Sequence, residues 1–339
     1  MWLNALWFAL FVVILAGYLI LDGFDLGVGM LHPVAARGDT ERRLVLNSIG
    51  PIWDGNEVWL VVAGGVLFAA FPIVYSSLFS GFYWAMMLVL LGLILRTVAI
   101  EFRGKRAEGG WRGTWDTVFF LSSLALALLL GLAFGNVVSG VPIGADGNVS
   151  ANLVDLLHPF AIWLGVTTVA MLALHGALYL NLKTAGDLQA RVRGWIVRLI
   201  AAFTVAGAVT VVWILVAGHG PTQTYRHTPW LVVIPVAALV AFGLMIRMAS
   251  RGREAAAFFA SAAMIALLLS TLAAGLYPNL LTSSTNPRYN LTITNAASAS
   301  LTLTVMLVVA VIGMPFVLLY TAGVQYLFRG KVRLKSDSY

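Results

Sequence analysis

Two pairs of acidic residues with the same spacing are the first candidates for chemistry in this sequence. Asp22 and Asp25 lie three residues apart, and so do Asp54 and Glu57. Residues at this spacing share one face of a helix, and carboxyl groups in a dry environment can hold and pass on protons. Proton or cation handling is therefore one interpretation. The other is helix capping and ion pairing, because acids at a helix N-terminus interact favourably with the helix dipole.

A basic residue and a further acid follow at Arg96 and Glu101, where the third predicted span closes. Together with the two pairs they form a group of six charged residues, predicted to lie on one side of the membrane in spans one to three. Five glycines accompany this group: Gly23, Gly27, Gly29, Gly64 and Gly65. Because small residues let membrane helices approach closely, we expect spans one to three to pack tightly and bring the acids together.

The elements that must position these residues are helices inside a membrane. The chain has 339 residues, of which 60% are hydrophobic and 10% charged, and its mean hydropathy is +0.91. Soluble domains carry about 25% charged residues. The composition therefore excludes a soluble enzyme, a disordered chain and, despite the net charge of +7, a nucleic-acid-binding domain. The absence of cysteine excludes a disulfide framework, an iron–sulfur cluster, a thiolate zinc site and a covalent haem motif.

Long apolar runs predict nine membrane-spanning helices, since one span needs about 20 apolar residues. Pro51 suits the first turn of the second helix. The uncharged stretch between Glu57 and Arg96 is long enough for two spans, joined by a tight turn near 72–77. The other spans are expected at 3–21, 117–138, 157–182, 195–217, 230–248, 255–276 and 301–328.

The lysine and arginine residues are sorted between alternate connections. Of 21 such residues, 18 lie after spans one, three, five and seven, in the flanks of these connections, or in the C-terminal tail. Arg226 and Arg288 lie on the opposite side. Because Lys and Arg are enriched in cytoplasmic loops, this pattern predicts an N-terminus outside and a C-terminus in the cytoplasm.

Five histidines are the only soft ligands in the chain. His175 lies well inside the fifth span and is the best-placed candidate for a haem ligand, although no second histidine lies at a matching depth. A hydrogen-bonded interior histidine is the alternative interpretation.

Several segments of the sequence resemble subunit II of the cytochrome bd quinol oxidases, including the related cyanide-insensitive oxidases. The most specific is WDGNEVW, within GPIWDGNEVW at 50–59. The others are GFDLGVG at 23–29, FSGFY at 79–83 with Arg96, AFGN at 133–136, and YPN at 277–279 with the Ser/Thr-rich stretch after it. The resemblance therefore extends along nearly the whole chain.

The resemblance implies an all-α polytopic membrane protein with two four-helix bundles and one peripheral helix. Residues 1–139 would form the first bundle, spans one to four, with the acid cluster on its cytoplasmic side. Residues 140–277 would form the second bundle, spans five to eight. Residues 278–339 would supply an outer loop, the ninth span and a basic cytoplasmic tail.

The resemblance also implies a function in a bacterial plasma-membrane complex that oxidises quinol and reduces O2 to water. Subunit I would carry the haems, b and d or b only, and the quinol-binding loop. This chain would stabilise subunit I and supply cytoplasmic protons, so that a proton-motive force arises without pumping. A structural quinone and a small accessory subunit are left open.

The resemblance assigns roles to particular side chains. The proton path of the family falls on Asp25 and Asp54, with Arg96 and Glu101 as associates. Asp22 and Glu57 are further acids that the family does not require. Trp53 and Trp59 would lie on a route for O2 or at the contact with subunit I.

Two other functions remain open on the residues alone. A secondary cation or proton transporter would use the same acids, but such folds usually repeat broken helices in two halves, and spans five to eight lack a matching acid pair. A purely structural scaffold subunit is the other. In a scaffold, replacing the acids with asparagine would change assembly but not proton transfer.

Overall fold

The computed structural model describes residues 1–218 and 221–334, and this part of the chain is almost entirely helical. Lys335 of the predicted basic tail lies outside the described residues. The helices are α1 (Trp2–Ala35), α2 (Gly38–Ile49), α3 (Trp53–Ala70), α4 (Pro72–Gly81), α5 (Tyr83–Arg103), α6 (Gly109–Ser139), α7 (Pro159–Lys183), α8 (Gly186–Ala217), α9 (Pro221–His227), α10 (Val233–Ser250), α11 (Glu254–Leu276) and α12 (Ser300–Leu327). Two short strands, β1 (Asn279–Leu281) and β2 (Leu291–Thr292), pair antiparallel.

Eight helices of the described part are long and apolar enough to cross a membrane, where α10 is counted with the short 3-10 turn before it. The helices α2 and α3 qualify only as a pair, bent by 45°, which brings the number of spans to nine at most. The prediction of a polytopic all-α membrane protein with about nine spans is confirmed. The division at 139/140 and 277/278 stays a prediction.

The first helix is longer than predicted, and this changes the position of the first acid pair. We expected the span to end at Leu21, but α1 continues to Ala35. Asp22 and Asp25 therefore lie within the helix, with Asp25 about 15 Å before its end at 1.5 Å per residue. Backbone groups in a membrane must be bonded within their own segment, so the helix continues through glycines and aspartates that favour helix ends in water.

The predicted turn at 72–77 is a helix instead. The chain changes direction at Phe71, between α3 and α4, and α4 begins at Pro72. Proline suits a first helical position because the amide hydrogen it lacks would have no partner there. The third span consequently begins only at Tyr83.

The central helix of the molecule is α1, which packs against α3, α6, α7 and α11. Its contact with α7 is very close, because a Cβ added to Gly27 would lie 2.7 Å from the Cα of Gly176. A Cβ on Gly29 would overlap the hydroxyl of Ser123 on α6. A Cβ at either glycine of 64–65 would meet none of the described atoms within 4 Å. Of the five glycines singled out in the sequence, those of α1 therefore pack tightly, against α6 and α7, whereas the two of α3 do not.

The helix α12 lies at the edge of the molecule, as expected for a peripheral ninth span. Only 6% of its most apolar window is buried, compared with 67% for α7. Its ends are attached more firmly. Trp7 Nε1 donates to the carbonyl of Leu303 at 3.0 Å, and Lys331 Nζ lies 2.6 Å from Glu254 Oε2.

The two ends of the helical bundle differ in chemistry. We call the end that contains Ala35, Arg103, Lys183 and Leu327 the basic end. The opposite end is covered by the Ser/Thr-rich segment between α11 and α12, which contains β1 and β2. This cover is ordered by hydrogen bonds to the rest of the chain, such as that from the Ser298 hydroxyl to the carbonyl of Ala69, at 2.6 Å.

Candidate functional site

An arginine and two acids from three helices meet in the interior. Arg96 of α5 places Nη2 2.6 Å from Asp22 Oδ1 of α1 and 3.3 Å from Glu57 Oε2 of α3. Arg96 and Asp22 are fully buried, and the Glu57 side chain is 17% exposed. Charges removed from water are tolerated only when they are paired, so this contact fixes α5 against α1 and α3.

Asp25 lies beside this group and has a different partner. Its Oδ2 accepts a hydrogen bond of 2.8 Å from Asn56 Nδ2, and its side chain is buried. Oδ1 of Asp25 and Oδ2 of Asp22 have no hydrogen-bond partner among the described residues. The site thus holds one guanidinium and three carboxyl groups, and it reaches electrical neutrality only if it also holds protons. Such a site can bind and exchange protons.

The remaining acids of the predicted path lie away from this centre. Asp54 is in the first turn of α3 and is exposed, and no ion pair of Asp54 is found in the described part of the chain. Glu101 is half-buried, five residues beyond Arg96 on α5 and closer to the basic end. The structure therefore brings Asp22, Glu57 and Arg96 together, while Asp54 and Glu101 lie further towards the surface.

The two tryptophans of the WDGNEVW segment are both buried. Trp59 packs flat against α1, where a Cβ on Gly17 would lie 2.6 Å from the ring. Its other side borders an open apolar groove of about 390 Å³ between α3 and α12, lined among others by Met314 and Tyr320. A role of Trp53 and Trp59 in an O2 route or a subunit contact stays a prediction.

His175 is an interior histidine whose ring is fully engaged. Nδ1 lies 2.6 Å from Ser261 Oγ, and Nε2 lies 3.0 Å from the carbonyl oxygen of Ile20. The ring also stacks on Phe258 with 4.8 Å between centroids. Both ring nitrogens are engaged, in the way the hydrogen-bonded interpretation predicts, and an iron ligand would need one of them free. A haem role of His175 stays a prediction.

A second charged cluster near the basic end was missed by the sequence reasoning. Asp116 of α6 is buried and accepts hydrogen bonds from His32 Nε2 at 2.6 Å, Arg103 Nε at 2.6 Å and Arg42 Nη1 at 2.8 Å. The sequence placed Asp116 just outside the fourth span, and so it was not counted as a membrane acid. One signal in the sequence could have pointed to this cluster. His32 follows Asp25 by seven residues, so the two side chains lie on the same side of α1.

The fold and the site define the class of this protein. It is a polytopic helical membrane protein whose interior holds carboxyl groups, arginines and a histidine in two clusters along one central helix. A family profile described as cytochrome bd terminal oxidase subunit II matches residues 3–328. The chain therefore belongs to the subunit II family of the cytochrome bd terminal oxidases.

Relatives and a solved structure agree with this assignment. Cytochrome bd-I ubiquinol oxidase subunit 2 of Escherichia coli (strain K12) is 38% identical, over 97% of this chain and 95% of the relative. Cytochrome bd ubiquinol oxidase subunit 2 of Bacillus subtilis (strain 168) is 36% identical, over 98% of each. A chain of the bd oxidase from Geobacillus thermodenitrificans has the same fold, with a TM-score of 0.79 at 18% identity, over 97% of this chain and 99% of that one.

Proposed function

We propose that this chain is the second core subunit of a membrane-bound quinol:O2 oxidoreductase. It stabilises the haem-bearing subunit I and carries protons from the cytoplasm towards the site of O2 reduction. Membership of the subunit II family supports this proposal, as do relatives named as ubiquinol oxidase subunits. Subunit I holds the haems, b and d or b only.

The observation that carries the proton role is the state of Asp25. This carboxyl group is buried about 15 Å from the end of its helix, it is not paired with a cation, and one of its oxygens has no partner in the described residues. Ionisable groups inside a membrane are energetically costly, so their presence there indicates a function. Asp22, Glu57 and Arg96 beside Asp25 set the charge of this site.

The position of Asp54 supports the proposal that a partner subunit covers the side of α3 that points away from the helical bundle. Asn56, two residues later, contacts the buried Asp25, so Asp54 is only about 3 Å nearer the basic end, yet it is exposed. A carboxylate at this depth that faced lipid would be unfavourable. Subunit I covers this face of α3 and the groove beside Trp59, and protons pass from the contact at Asp54 to Asp25.

The charge pattern supports the direction of this transfer. The basic end is cytoplasmic, since 18 of 21 lysines and arginines belong to connections or flanks on that side. Quinol releases its protons at the outer face, while the protons consumed in water formation come from the cytoplasm. The enzyme therefore generates a proton-motive force without pumping, in the bacterial plasma membrane.

The proposal is tested with Asp25→Asn and Asp54→Asn in the two-subunit complex. Asparagine keeps the size of aspartate and one acceptor oxygen, but it cannot carry a proton. We expect Asp25→Asn to block proton uptake and O2 reduction, and Asp54→Asn to slow both. Proton uptake, O2 consumption per haem and membrane potential are measured in sealed vesicles.

A matched control is Asp187→Asn, because Asp187 is also an exposed acid in the first turn of a helix. We expect this variant to behave as the wild type. Wild-type turnover and membrane potential in both Asp25→Asn and Asp54→Asn would overturn the proton role. Loss of assembly with normal proton uptake per assembled complex would instead establish a scaffold.

A further inference from the structure

We propose that protons also reach Asp25 through the interior of this chain, by a relay of His32 and Ser123 between α1 and α6. This inference rests on the proposed function, because it supplies the same Asp25. It differs in the route, since Asp54 lies on the exposed face of α3 whereas His32 and Ser123 are fully buried.

The relay follows one side of α1. Asp25, Gly29 and His32 are separated by four and three residues, so they lie on one helical face, with about 10 Å between the first and the last. Gly29 carries no side chain, and Ser123 of α6 fills the space beside it. The hydroxyl of Ser123 therefore lies between the levels of Asp25 and His32.

Each of the three polar groups has an atom without a hydrogen-bond partner in the described part of the chain. These atoms are Asp25 Oδ1, Ser123 Oγ and His32 Nδ1. Buried polar atoms without a partner are rare and cost about 1–3 kcal/mol each. The three atoms lie along the contact between α1 and α6. This arrangement is the one expected if water molecules bridge the three groups and protons pass between them.

Asp116 determines which nitrogen of the His32 ring carries the hydrogen. A carboxylate that also accepts from the arginines Arg42 and Arg103 acts as an acceptor only, so His32 Nε2 carries the hydrogen directed at it. The neutral ring then presents a bare Nδ1. A proton that water carries from the basic end to Nδ1 forms an imidazolium beside Asp116. Nδ1 then passes a proton to Ser123 Oγ while the hydroxyl hydrogen of Ser123 moves on, directly or through water, to the Asp25 carboxylate, and the neutral ring is restored.

The cluster also reaches solvent at the basic end. The side chain of Arg42 is 34% exposed, and that of Asp39 is 42% exposed. Arg103 joins Asp39 to Asp116 with contacts of 2.9 Å and 2.6 Å. The charged groups that face His32 are thus Asp116 from α6, Arg42 from α2 and Arg103 from α5, and they lead from water to the buried ring.

The test uses Ser123→Ala and His32→Gln in the complex with subunit I, reconstituted in vesicles. The matched control is Ser122→Ala, because the neighbouring Ser122 is also buried but donates to the carbonyl of Val118 at 2.7 Å. We expect Ser123→Ala and His32→Gln each to slow proton uptake about twofold when Asp54 is intact, and about tenfold, or ~1.4 kcal/mol in the barrier, in the Asp54→Asn background. Ser122→Ala keeps the wild-type rate, and His32→Gln also flattens the dependence of uptake on internal pH.

The outcomes separate this inference from the proposed function. If Asp25→Asn leaves uptake unchanged, the proposed function fails and the relay fails with it. If Asp25→Asn blocks uptake while Ser123→Ala and Ser122→Ala both match the wild type, only the relay is overturned. The relay is supported if proton uptake survives in Asp54→Asn and disappears in the double variant Asp54→Asn with His32→Gln. If His32→Gln does not assemble, the serine pair still decides.

Discussion

Nη2 of Arg96 and Oδ1 of Asp22 form an ion pair of 2.6 Å in which both side chains are fully buried. The residues are 74 positions apart in the chain and belong to α5 and α1. The pair is therefore a charged link between helices that are distant in sequence. Because neither side chain can reach water, each depends on the other for compensation of its charge.

The first prediction concerns the loss of this pair. Arg96→Met leaves the buried Asp22 and the half-buried Glu57 without a cation, and we expect a destabilisation of about 3–5 kcal/mol. The double variant Arg96→Met with Asp22→Asn removes one of the stranded charges and should recover part of that loss. Thermal loss of the haem absorption of the purified complex measures both. A single variant as stable as the wild type would contradict the pairing.

The second prediction concerns the contact of α1 with α7. An added Cβ on Gly27 would overlap the carbonyl of Leu172 and crowd Gly176, so Gly27→Ala should destabilise the complex by about 1–3 kcal/mol. Gly64→Ala is the control, because a Cβ there meets no described atom within 4 Å. We expect the control to be neutral or slightly stabilising, as alanine favours helices. Equal thermal stability of the two variants would argue against the close contact.

The third prediction concerns the attachment of α12. Glu254 accepts from Lys331 at 2.6 Å and from Arg193 at 3.0 Å, and it holds the segment after α12 against the bundle. Glu254→Gln should weaken this attachment by about 1 kcal/mol and make tryptic cleavage near Lys331 roughly fivefold faster. The control is Glu108→Gln, at an exposed acid before α6. Unchanged cleavage in Glu254→Gln would show that other contacts hold the tail.

The fourth prediction concerns orientation, and the absence of cysteine makes it easy to test. Ser284→Cys introduces a thiol into the exposed Ser/Thr-rich cover, and Lys105→Cys introduces one at the basic end. In intact cells a membrane-impermeant thiol reagent should label the first variant, and the second only after permeabilisation. The reverse pattern would place the basic end outside.

Those parts of the protein that depend on composition and local pattern could be predicted from the sequence. Apolar runs predict helices in a membrane because only a helix satisfies its own backbone there, and the sorting of arginines predicts one orientation. The spacing of Asp22 and Asp25 predicts a shared face on α1. Their depth could not be predicted, because the aspartate and glycine residues that follow Leu21 favour helix ends in water, whereas in the fold residues 22–32 are buried against neighbouring helices and α1 continues to Ala35.

The partners of the buried groups were decided only by the tertiary structure. Asn56 meets Asp25 across 31 residues, and Asp116 meets His32 across 84. Such contacts depend on how each helix is rotated and staggered against its neighbours, and this follows from close packing at sites such as Gly27 with Gly176. The sequence by itself determined the membrane class and the approximate number of spans, and it predicted a set of residues for proton transfer. The tertiary structure decided which of them are buried, which are paired and which lie in a row, because burial and pairing are properties of several helices together.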